Sequence, residues 1–241
     1  MKSIMVRLAE LLIAIESRFP SIEKYCEKYL ASGEPELSVS VTDEKIAAEK
    51  ALSEEEFSDE YIERICIYRE VAERLPSLSR FVFHGAAISY KGSAYIFTAP
   101  SGTGKSTHIK LWRQHIGGEV DIINGDKPIL KAEENGVMVY SSPWAGKERW
   151  NKNVSAPLSA ICVIKRGTQN RIKKLPAGTA IAHLIKQIYL PKTREAKLQT
   201  LTLLDLVLKN VPVYLLQCDM SYEAVKTSFE AMTGEEMKQT D

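Results

Sequence analysis

The stretch Ala99-Pro100-Ser101-Gly102-Thr103-Gly104-Lys105-Ser106-Thr107-His108 decides how this chain is read. It follows the apolar run Ala94-Tyr95-Ile96-Phe97-Thr98 and opens into a helix expected over 108–114, beginning near Lys105. A G-x-x-x-x-G-K-[ST] pattern between a strand and a helix is a phosphate-binding loop. Gly102 and Gly104 let successive backbone N–H groups turn toward one anion. The helix start adds its positive dipole end at the same point. Lys105 would then reach the β- and γ-phosphates, and the Ser106 hydroxyl would ligate the Mg²⁺ that bridges them. Ser101, Thr103 and Thr107 complete the candidate nucleotide-binding set. The first glycine of the pattern is Ala99, a change a Cβ tolerates where φ is negative. The chain is therefore expected to bind ATP with Mg²⁺. GTP and pyrophosphate stay open as donors, because no base-reading motif stands out.

Downstream, Val120-Asp121-Ile122-Ile123-Asn124-Gly125-Asp126-Lys127-Pro128-Ile129-Leu130 reads as an apolar strand ending in a carboxylate. An aspartate at the end of a neighbouring strand is where Mg²⁺ takes a second protein contact, so Asp126 joins Ser106 as a metal candidate. Upstream, Phe81 to Ile88 is strand-like and Tyr90-Lys91-Gly92 makes a turn, so the two strands before the loop form an antiparallel hairpin. Further strands are expected over 136–142, 160–165 and 211–216, the last with Pro212 at an early or edge position. Helices are expected over 179–188, 198–208 and 221–232, with Gly234 after the last.

The first eighty residues read as a lead-in region. Val6 to Glu16 is apolar and fits strand or helix equally. Ser21 to Leu30 reads as a short helix with Ser21 as N-cap. Leu37 to Val41 alternates as a half-buried strand, and Thr42 or Asp43 caps a helix to about Ala51. Ser53 to Glu60 is a solvated connection or a helix start. Tyr61, Ile65, Tyr68, Ala72 and Leu75 recur at helical spacing, are expected to pack in the core, and stop at Pro76. The division is thus 1–79, an N-terminal α/β region packed on the core, and 80–241, the nucleotide-binding core.

Lys and Arg (32) almost balance Asp and Glu (31), for a net charge of +1. That leaves no electrostatic footprint for nucleic acid or an anionic membrane. No apolar stretch approaches the ~20 residues of a membrane span, and Glu10 with no cleavage site after it argues against a signal peptide. Cys26, Cys66, Cys162 and Cys218 are scattered, without a C-x-x-C pair, as expected of buried free thiols in a cytoplasmic protein. Oligomeric state is open, a homo-oligomer included.

His84-Gly85 on the hairpin, the loop from Ser101 to Ser106, and Asn124-Gly125-Asp126 together resemble the HPr kinase/phosphorylase and phosphoenolpyruvate carboxykinase clan. Strings similar to Asn124-Gly125-Asp126-Lys127-Pro128 and Pro143-Trp144-Ala145-Gly146-Lys147-Glu148 recur in short bacterial HPr-kinase-like or carboxykinase-like proteins. The resemblance covers Phe81 to about Arg171. It implies an α/β fold: a P-loop kinase core with a mixed, antiparallel-rich β-sheet and flanking helices. HPr kinases usually carry two adjacent aspartates that divide base and metal duties. Here Gly125 takes the first place, so Asp126 serves both or another residue supplies the base. Carboxykinases are much longer, and their substrate-binding arginine and metal-ligating histidine set is not identifiable.

Alternatives stand beside each further candidate. His84 is a packed strand histidine or, as the resemblance implies, a group near the γ-phosphate or acceptor. His108 touches nucleotide or faces solvent. Trp144 to Trp150 is an exposed charged loop or a lid, with Lys147 contacting phosphate, Glu148 as alternative base and the indoles excluding water. Arg166 and Arg171 are phosphate clamps or surface residues. The leading expectation is a kinase moving the γ-phosphoryl to a serine-type hydroxyl on a peptide, protein or small molecule, with Asp126, His84, Lys147 and Glu148 as its catalytic set. A carboxykinase-type enzyme acting on an enol or carboxylate is the first alternative, which a carboxylate-recognising arginine near the loop would favour. A nucleotide-binding regulator without turnover is the second.

Overall fold

The computed structural model describes residues 2–52 and 55–237. The undecided stretch near the start is a hairpin, Lys2–Leu8 (β1) and Leu11–Ser17 (β2), joined by Ala9 and Glu10. Both turn residues have positive φ (48° and 73°), the geometry of a two-residue hairpin turn but not one these residue types favour. Tertiary contacts hold it: Arg80 donates from Nε to Ala9 O (2.7 Å), while Lys131 (3.0 Å) and the Tyr140 hydroxyl (2.6 Å) donate to the Glu10 carboxylate. The turn was illegible because its residues are not turn formers; it is imposed from outside.

Leu37–Ser40 (β3) adds to β2 in parallel. The helix expected over 21–30 is shorter: Ser21–Tyr25 (α1), then a 3₁₀ turn, Glu27–Tyr29. Ser21 does not cap it. Pro20 takes that place, and the Ser21 hydroxyl donates to Glu60 instead (2.5 Å). Asp43–Lys50 (α2) is capped by Thr42 as expected. Asp59–Arg74 (α3) starts after Ser58, which caps it, and Pro76 lies within a 3₁₀ turn, Leu75–Leu78. Part of the connection before α3, Ser53 and Glu54, lies outside the described residues.

The expected core stripe of α3 needs correction. Ile62, Cys66, Ile67 and Val71 are buried, with Glu63 accepting from the Ser17 hydroxyl (2.5 Å) and the Arg18 backbone N–H (3.0 Å). Of the expected stripe, Ala72 and Leu75 are buried and half-buried Tyr68 packs against the same cluster, as expected, whereas Tyr61 is exposed and Ile65 only half-buried. The helix carries two apolar stripes at i, i+4 spacing, and periodicity finds the helix without saying which stripe faces inward.

The main sheet follows. Its elements are Arg80–Val82 (β4), Ala86–Tyr90 (β5), Ser93–Thr98 (β6), Lys105–Ile116 (α4), Val120–Asn124 (β7), Ile129–Glu133 (β8) and Gly136–Tyr140 (β9). Then come Ser155–Arg166 (β10), Arg171–Lys174 (β11), Ala177–Leu184 (α5), Arg194–Asn210 (α6), Val213–Cys218 (β12) and Tyr222–Thr233 (α7). The strand order is β4-β8-β9-β10-β6-β5-β7, with β12 and then β11 on the other side of β10. The long strand β10 makes this possible. Ser155 to Pro157 pair antiparallel with β9, Leu158 to Val163 run parallel to β6, and Ile161 to Arg166 run parallel to β12. A register shift between Leu158 and Ala160 marks the curl. The result is a mixed α/β fold on a curled mixed sheet. Pro212 sits just before β12, where its missing N–H costs no ladder bond.

The hairpin β5–β6 ahead of the loop forms as expected. The single strand expected over 81–88 does not. It is cut at Phe83-His84-Gly85, so that β4 pairs with β8 while β5 pairs with β6 and β7. Likewise 120–130 is two strands, with Asp126 in the connection between them.

Side chains alternate across the sheet with the period of two that a pleat requires. Ile96, Ile161 and Val163 meet Leu203, Leu204 and Val207 of α6 on one face. Phe97, Cys162 and Ile164 meet Trp112 of α4 and Phe229 of α7 on the other. The N-terminal sheet and α3 share a third cluster with Val82, Ile129, Tyr140 and Trp144 of the main sheet. All four cysteines are free and buried. Among the described residues, no helix is long and apolar enough to cross a membrane.

Trp112 is fully buried, and its indole N–H donates to Ser228 Oγ (2.8 Å). Trp112→Ala should therefore cost about 3–5 kcal/mol of stability, from lost transfer energy plus a cavity. Urea unfolding of the two proteins checks this; a loss below 1 kcal/mol would mean that the cluster collapses around the gap.

Candidate active site

The connection from Ala99 to Gly104 joins β6 to α4. Gly102 and Gly104 have φ of +76° and +125°, a region that L side chains rarely adopt, whereas Ala99 is not among the positive-φ residues. The substitution at the first glycine position is thus free of backbone strain. The Lys105 ammonium donates to Ala99 O (2.8 Å), closing the loop on itself. Burial lowers the Lys105 pKa, against which the Asp126 charge works, while Lys127 adds to the lowering. Arg166, at the end of β10, donates from Nε to Thr103 O (3.1 Å) and from Nη2 to Gly102 O. Its observed contacts are with loop carbonyls, a role sequence reading had not separated from a phosphate clamp.

His108 does not face solvent, which corrects one of its two expected readings, and it lines the cavity beside Thr103. It is 3% exposed, stacks near Phe97 (4.8 Å between centroids) and bonds Ser228 Oγ through Nε2 (2.9 Å). Burial lowers its pKa to about 4, so the ring is neutral at physiological pH. It is a core residue of the loop helix.

Across from the loop, a tight turn holds Asp126. The buried Asn124 accepts at Oδ1 from the backbone N–H of Asp126 (2.9 Å) and of Lys127 (2.8 Å). That is an Asx turn. Its amide nitrogen donates to Ser142 O (2.9 Å), and the Asp126 carbonyl accepts from Gly85 N–H (2.9 Å). Asp126 Oδ1 lies 3.3 Å from His84 Nε2, and Lys127 donates to Oδ2. His84 Nδ1 in turn faces Gln187 Oε1 at 3.0 Å. Burial pushes the Asp126 carboxyl up, but the His84 contact and the Lys127 ammonium outweigh it and hold the pKa at about 2. Lys127 and Gln187 are site neighbours that the sequence reading missed. Lys127 was visible in the Asn-Gly-Asp-Lys-Pro string, whereas nothing in the sequence ties Gln187 to His84.

Gly125 sits where a side chain would be crowded. A Cβ there would lie 3.3 Å from Ala145 O and 3.4 Å from the Trp150 Cβ, tighter than most such contacts. Gly146 is crowded from the same direction: its Cβ would meet the Asp126 Cβ at 3.0 Å. The loop expected as a lid is pinned at both ends. Gly125 N–H donates to Trp150 O (2.8 Å), and Lys152 N–H to Ile123 O (3.1 Å). Trp144 is buried, edge-on to Tyr68 at 5.2 Å, and Trp150 lies under the Lys110 ammonium at 4.9 Å. The indoles are anchors rather than a cover. Gly146, Lys147, Glu148 and Arg149 form the exposed tip.

Three adjoining cavities run past these residues. The central one, about 500 Å³, is lined by Lys105, Ser106, His84, Asp126, Lys147 and Glu148, together with Ser101, Gly102, Gly104 and Thr107. Thr103 lines the next cavity instead, about 440 Å³, whose walls include Leu111, Ile164, Cys218 and Met220. A third, about 520 Å³, shares Asp126, Lys127, Gly146 and Lys147 with the centre but none of the loop residues. Arg171 lines none of the three.

Residues 60–227 match the family model described as SynChlorMet cassette protein ScmC, and the chain belongs to that family. No curated protein matches it. Among solved structures, the HPr(Ser) kinase/phosphatase from Coxiella burnetii is similar over 64% of this chain and 99% of its own, with 10% identity and a TM-score of 0.35. The likeness is too loose to assign the fold by itself.

The depressed Asp126 pKa gives a pH prediction. Its folded value of about 2 lies below the usual 3.8, so the ionised side chain contributes stability on the order of 2 kcal/mol. That contribution is present above about pH 4 and disappears as pH falls through 2. Asp126→Asn should lack this dependence, so wild type and variant converge in urea midpoints between pH 4 and pH 2. A stability difference independent of pH would show that the carboxylate charge is not what the site holds. Lys127→Met should shift the Asp126 carboxyl midpoint, followed by carbon NMR, upward.

Proposed function

We propose that this protein is an ATP- and Mg²⁺-dependent kinase that transfers the γ-phosphoryl group to a hydroxyl. The observation that carries the reading is the central cavity, where a glycine-rich strand–helix loop with its lysine faces an ionised aspartate. An anion cradle opposite a carboxylate is what phosphoryl transfer requires. The loop amides and Lys105 would hold the phosphates. The neighbouring cavity beside Thr103, apolar at Leu111, Ile164 and Met220, suits the flat base of a nucleoside.

The donor set fits Mg²⁺. Among the described residues, no three His, Cys, Asp or Glu side chains come together as a metal cage. Ser106 and Asp126 offer two hard oxygens on one cavity, and Mg²⁺ is commonly held by one or two such groups plus phosphate oxygens and water. When bound, the ion would neutralise charge between the β- and γ-phosphates. In the reaction, the acceptor oxygen forms a bond to the γ-phosphorus as the bond to the β-phosphate oxygen breaks, and ADP leaves. The hydroxyl proton passes to Asp126 or, as the alternative, to Glu148 at the cavity rim. A carboxyl with a pKa of about 2 is a weak base, so Asp126 is assigned chiefly to orienting the hydroxyl and holding charge. His84, between Gln187 and Asp126, steadies that carboxylate, and Lys147 reaches the transferring phosphoryl. The four free thiols suit a reducing compartment, and we place the protein in the cytoplasm on that ground.

A second reading, a carboxykinase-type enzyme, gains support from Arg64 and Arg149 in the third cavity, since paired guanidinium groups suit a carboxylate. ATP-dependent release of carbon dioxide from a 2-oxo dicarboxylate would favour it over the kinase.

Two variants test the leading reading. Lys105→Ala should abolish measurable ATP binding in calorimetry, because it removes the one cation anchored within the loop. Asp126→Asn should bind ATP within about threefold of wild type, yet lose turnover by about a hundredfold or more, as a group acting mainly in the transition state does. ATP binding unaffected by Lys105→Ala would end the phosphate-loop assignment, and full turnover in Asp126→Asn would remove Asp126 from the mechanism.

A further inference from the structure

The third cavity is built from both halves of the chain. The N-terminal region contributes Tyr25, Tyr61, Arg64, Ile65 and Tyr68, and the main sheet's loops contribute Lys127, Trp144 and Arg149. Of the α3 residues here, Tyr68 packs edge-on to Trp144 and Tyr189 at the junction of the two regions. Exposed Tyr61 and half-buried Ile65 lie outside the core clusters and leave apolar surface on the cavity wall.

The charge of this cavity is lopsided. Four cations line it, Arg64, Lys127, Lys147 and Arg149, against one carboxylate among the described residues, Asp126. That carboxylate is already engaged by His84 and Lys127. Arg64 is held in place by rings: its guanidinium carbon lies 5.1 Å from the Tyr25 centroid and 5.9 Å from that of Tyr61. Among the described residues its ion-pair partner, Glu60, is 3.7 Å away and accepts from the Ser21 hydroxyl. The guanidinium fork is thus oriented but not consumed. Arg149, at the exposed loop tip, is fixed in a left-handed backbone conformation (φ 52°). Burial pushes the Tyr25 hydroxyl up to about 12 even though the Arg64 and Arg149 charges both oppose it, which places both cations within electrostatic reach of one phenol.

We propose that this third cavity receives the acceptor, and that the acceptor carries a carboxylate within a few atoms of its hydroxyl. Arg64 and Arg149 take the carboxylate, and the apolar part of the acceptor lies against Tyr25, Tyr61 and Tyr68. The hydroxyl then points through the shared wall of Asp126, Lys127, Gly146 and Lys147 toward the γ-phosphoryl. A singly charged carboxylate fits better than a second phosphate, because the transferring phosphoryl and Asp126 already concentrate negative charge next door. The inference rests on the kinase reading, and adds to it that the N-terminal region is the acceptor-selecting part. The same chemistry arises in a free hydroxy acid or in a peptide with an acidic residue beside a serine.

The test uses the full chain and two matched pairs of probes. N-acetylserine is compared with N-acetylserine amide, and a blocked Ala-Ser-Asp-Ala peptide with its Ala-Ser-Asn-Ala twin. Binding is measured by calorimetry with Mg²⁺ and a non-hydrolysable ATP analogue, and transfer by labelled ATP. In at least one pair, the acidic member should bind about tenfold or more tightly than its neutral twin, as a charge-assisted bidentate contact implies. Preference within the first pair identifies a small hydroxy acid, and within the second an acidic peptide segment. Arg64→Gln and Arg149→Gln should each shrink the preference at unchanged ATP-analogue affinity, and Arg64→Lys should restore part of it. Circular dichroism confirms that the variants fold. Equal binding within both pairs, no binding of any probe, or a full preference surviving in the folded double variant overturns the inference. ATP binding indifferent to Lys105→Ala would instead defeat the kinase reading itself, so the two failures are distinguishable.

Discussion

One buried side chain, Asn124, organises the site more than any other. Its carbonyl oxygen accepts two backbone N–H groups from the turn that carries Asp126 and Lys127. Its amide donates to Ser142, at the entry to the 143–150 loop. A fully buried amide left unpaired would cost about 1–3 kcal/mol, so these bonds lock three segments to one another. The position of Asp126 relative to the glycine-rich loop follows from this lock, because β7 lies beyond β5 and β6 in the same sheet. The crowding at Gly125 and Gly146 is its consequence: the loop is drawn so close to the turn that neither position has comfortable room for a Cβ.

The electrostatics of the site are local, not global. With a net charge of +1, the chain as a whole gives no hint of a cationic cleft. Yet Lys105, Lys127 and Lys147 line the central cavity, and Arg64 and Arg149 the one beside it. Asp126 and Glu148 face the cations of the central cavity, whereas the cavity beside it has cations in excess, which focuses its field on anions that enter, whatever the total. Asp126 is held ionised by His84 and Lys127. That combination suits a site that handles phosphates and a second anionic group at once.

The hairpin turn at Ala9 and Glu10 shows the same logic at the level of folding. Arg80, Lys131 and Tyr140 reach from the main sheet to hold a turn whose residues would not choose positive φ alone. The N-terminal sheet is therefore fastened to the rest through side chains distant in sequence.

Much of the architecture was legible because local chemistry decided it. The strand–glycine loop–helix segment, the β5–β6 hairpin, the cap at Thr42, and the helix ending at Gly234 follow from residue type and spacing. The candidate residues from Ser101 to Thr107, with His84, Asp126, Lys147 and Glu148, could be chosen from motif and resemblance because phosphate chemistry demands those types in that order. Other features depended on partners far away in the chain. The cut between β4 and β5, the burial of His108 against Ser228, the contact of Gln187 with His84, and the packing of Tyr68 on Trp144 while Tyr61 stays exposed all arise between segments tens of residues apart. By itself the sequence determined that a glycine-rich strand–loop–helix segment follows a hairpin in an α/β chain, because backbone geometry at two glycines and a helix start is a local matter. Only the tertiary structure decided which apolar stripe lines a cavity and which cations surround the aspartate, because burial and electrostatic neighbourhood exist only once distant segments meet.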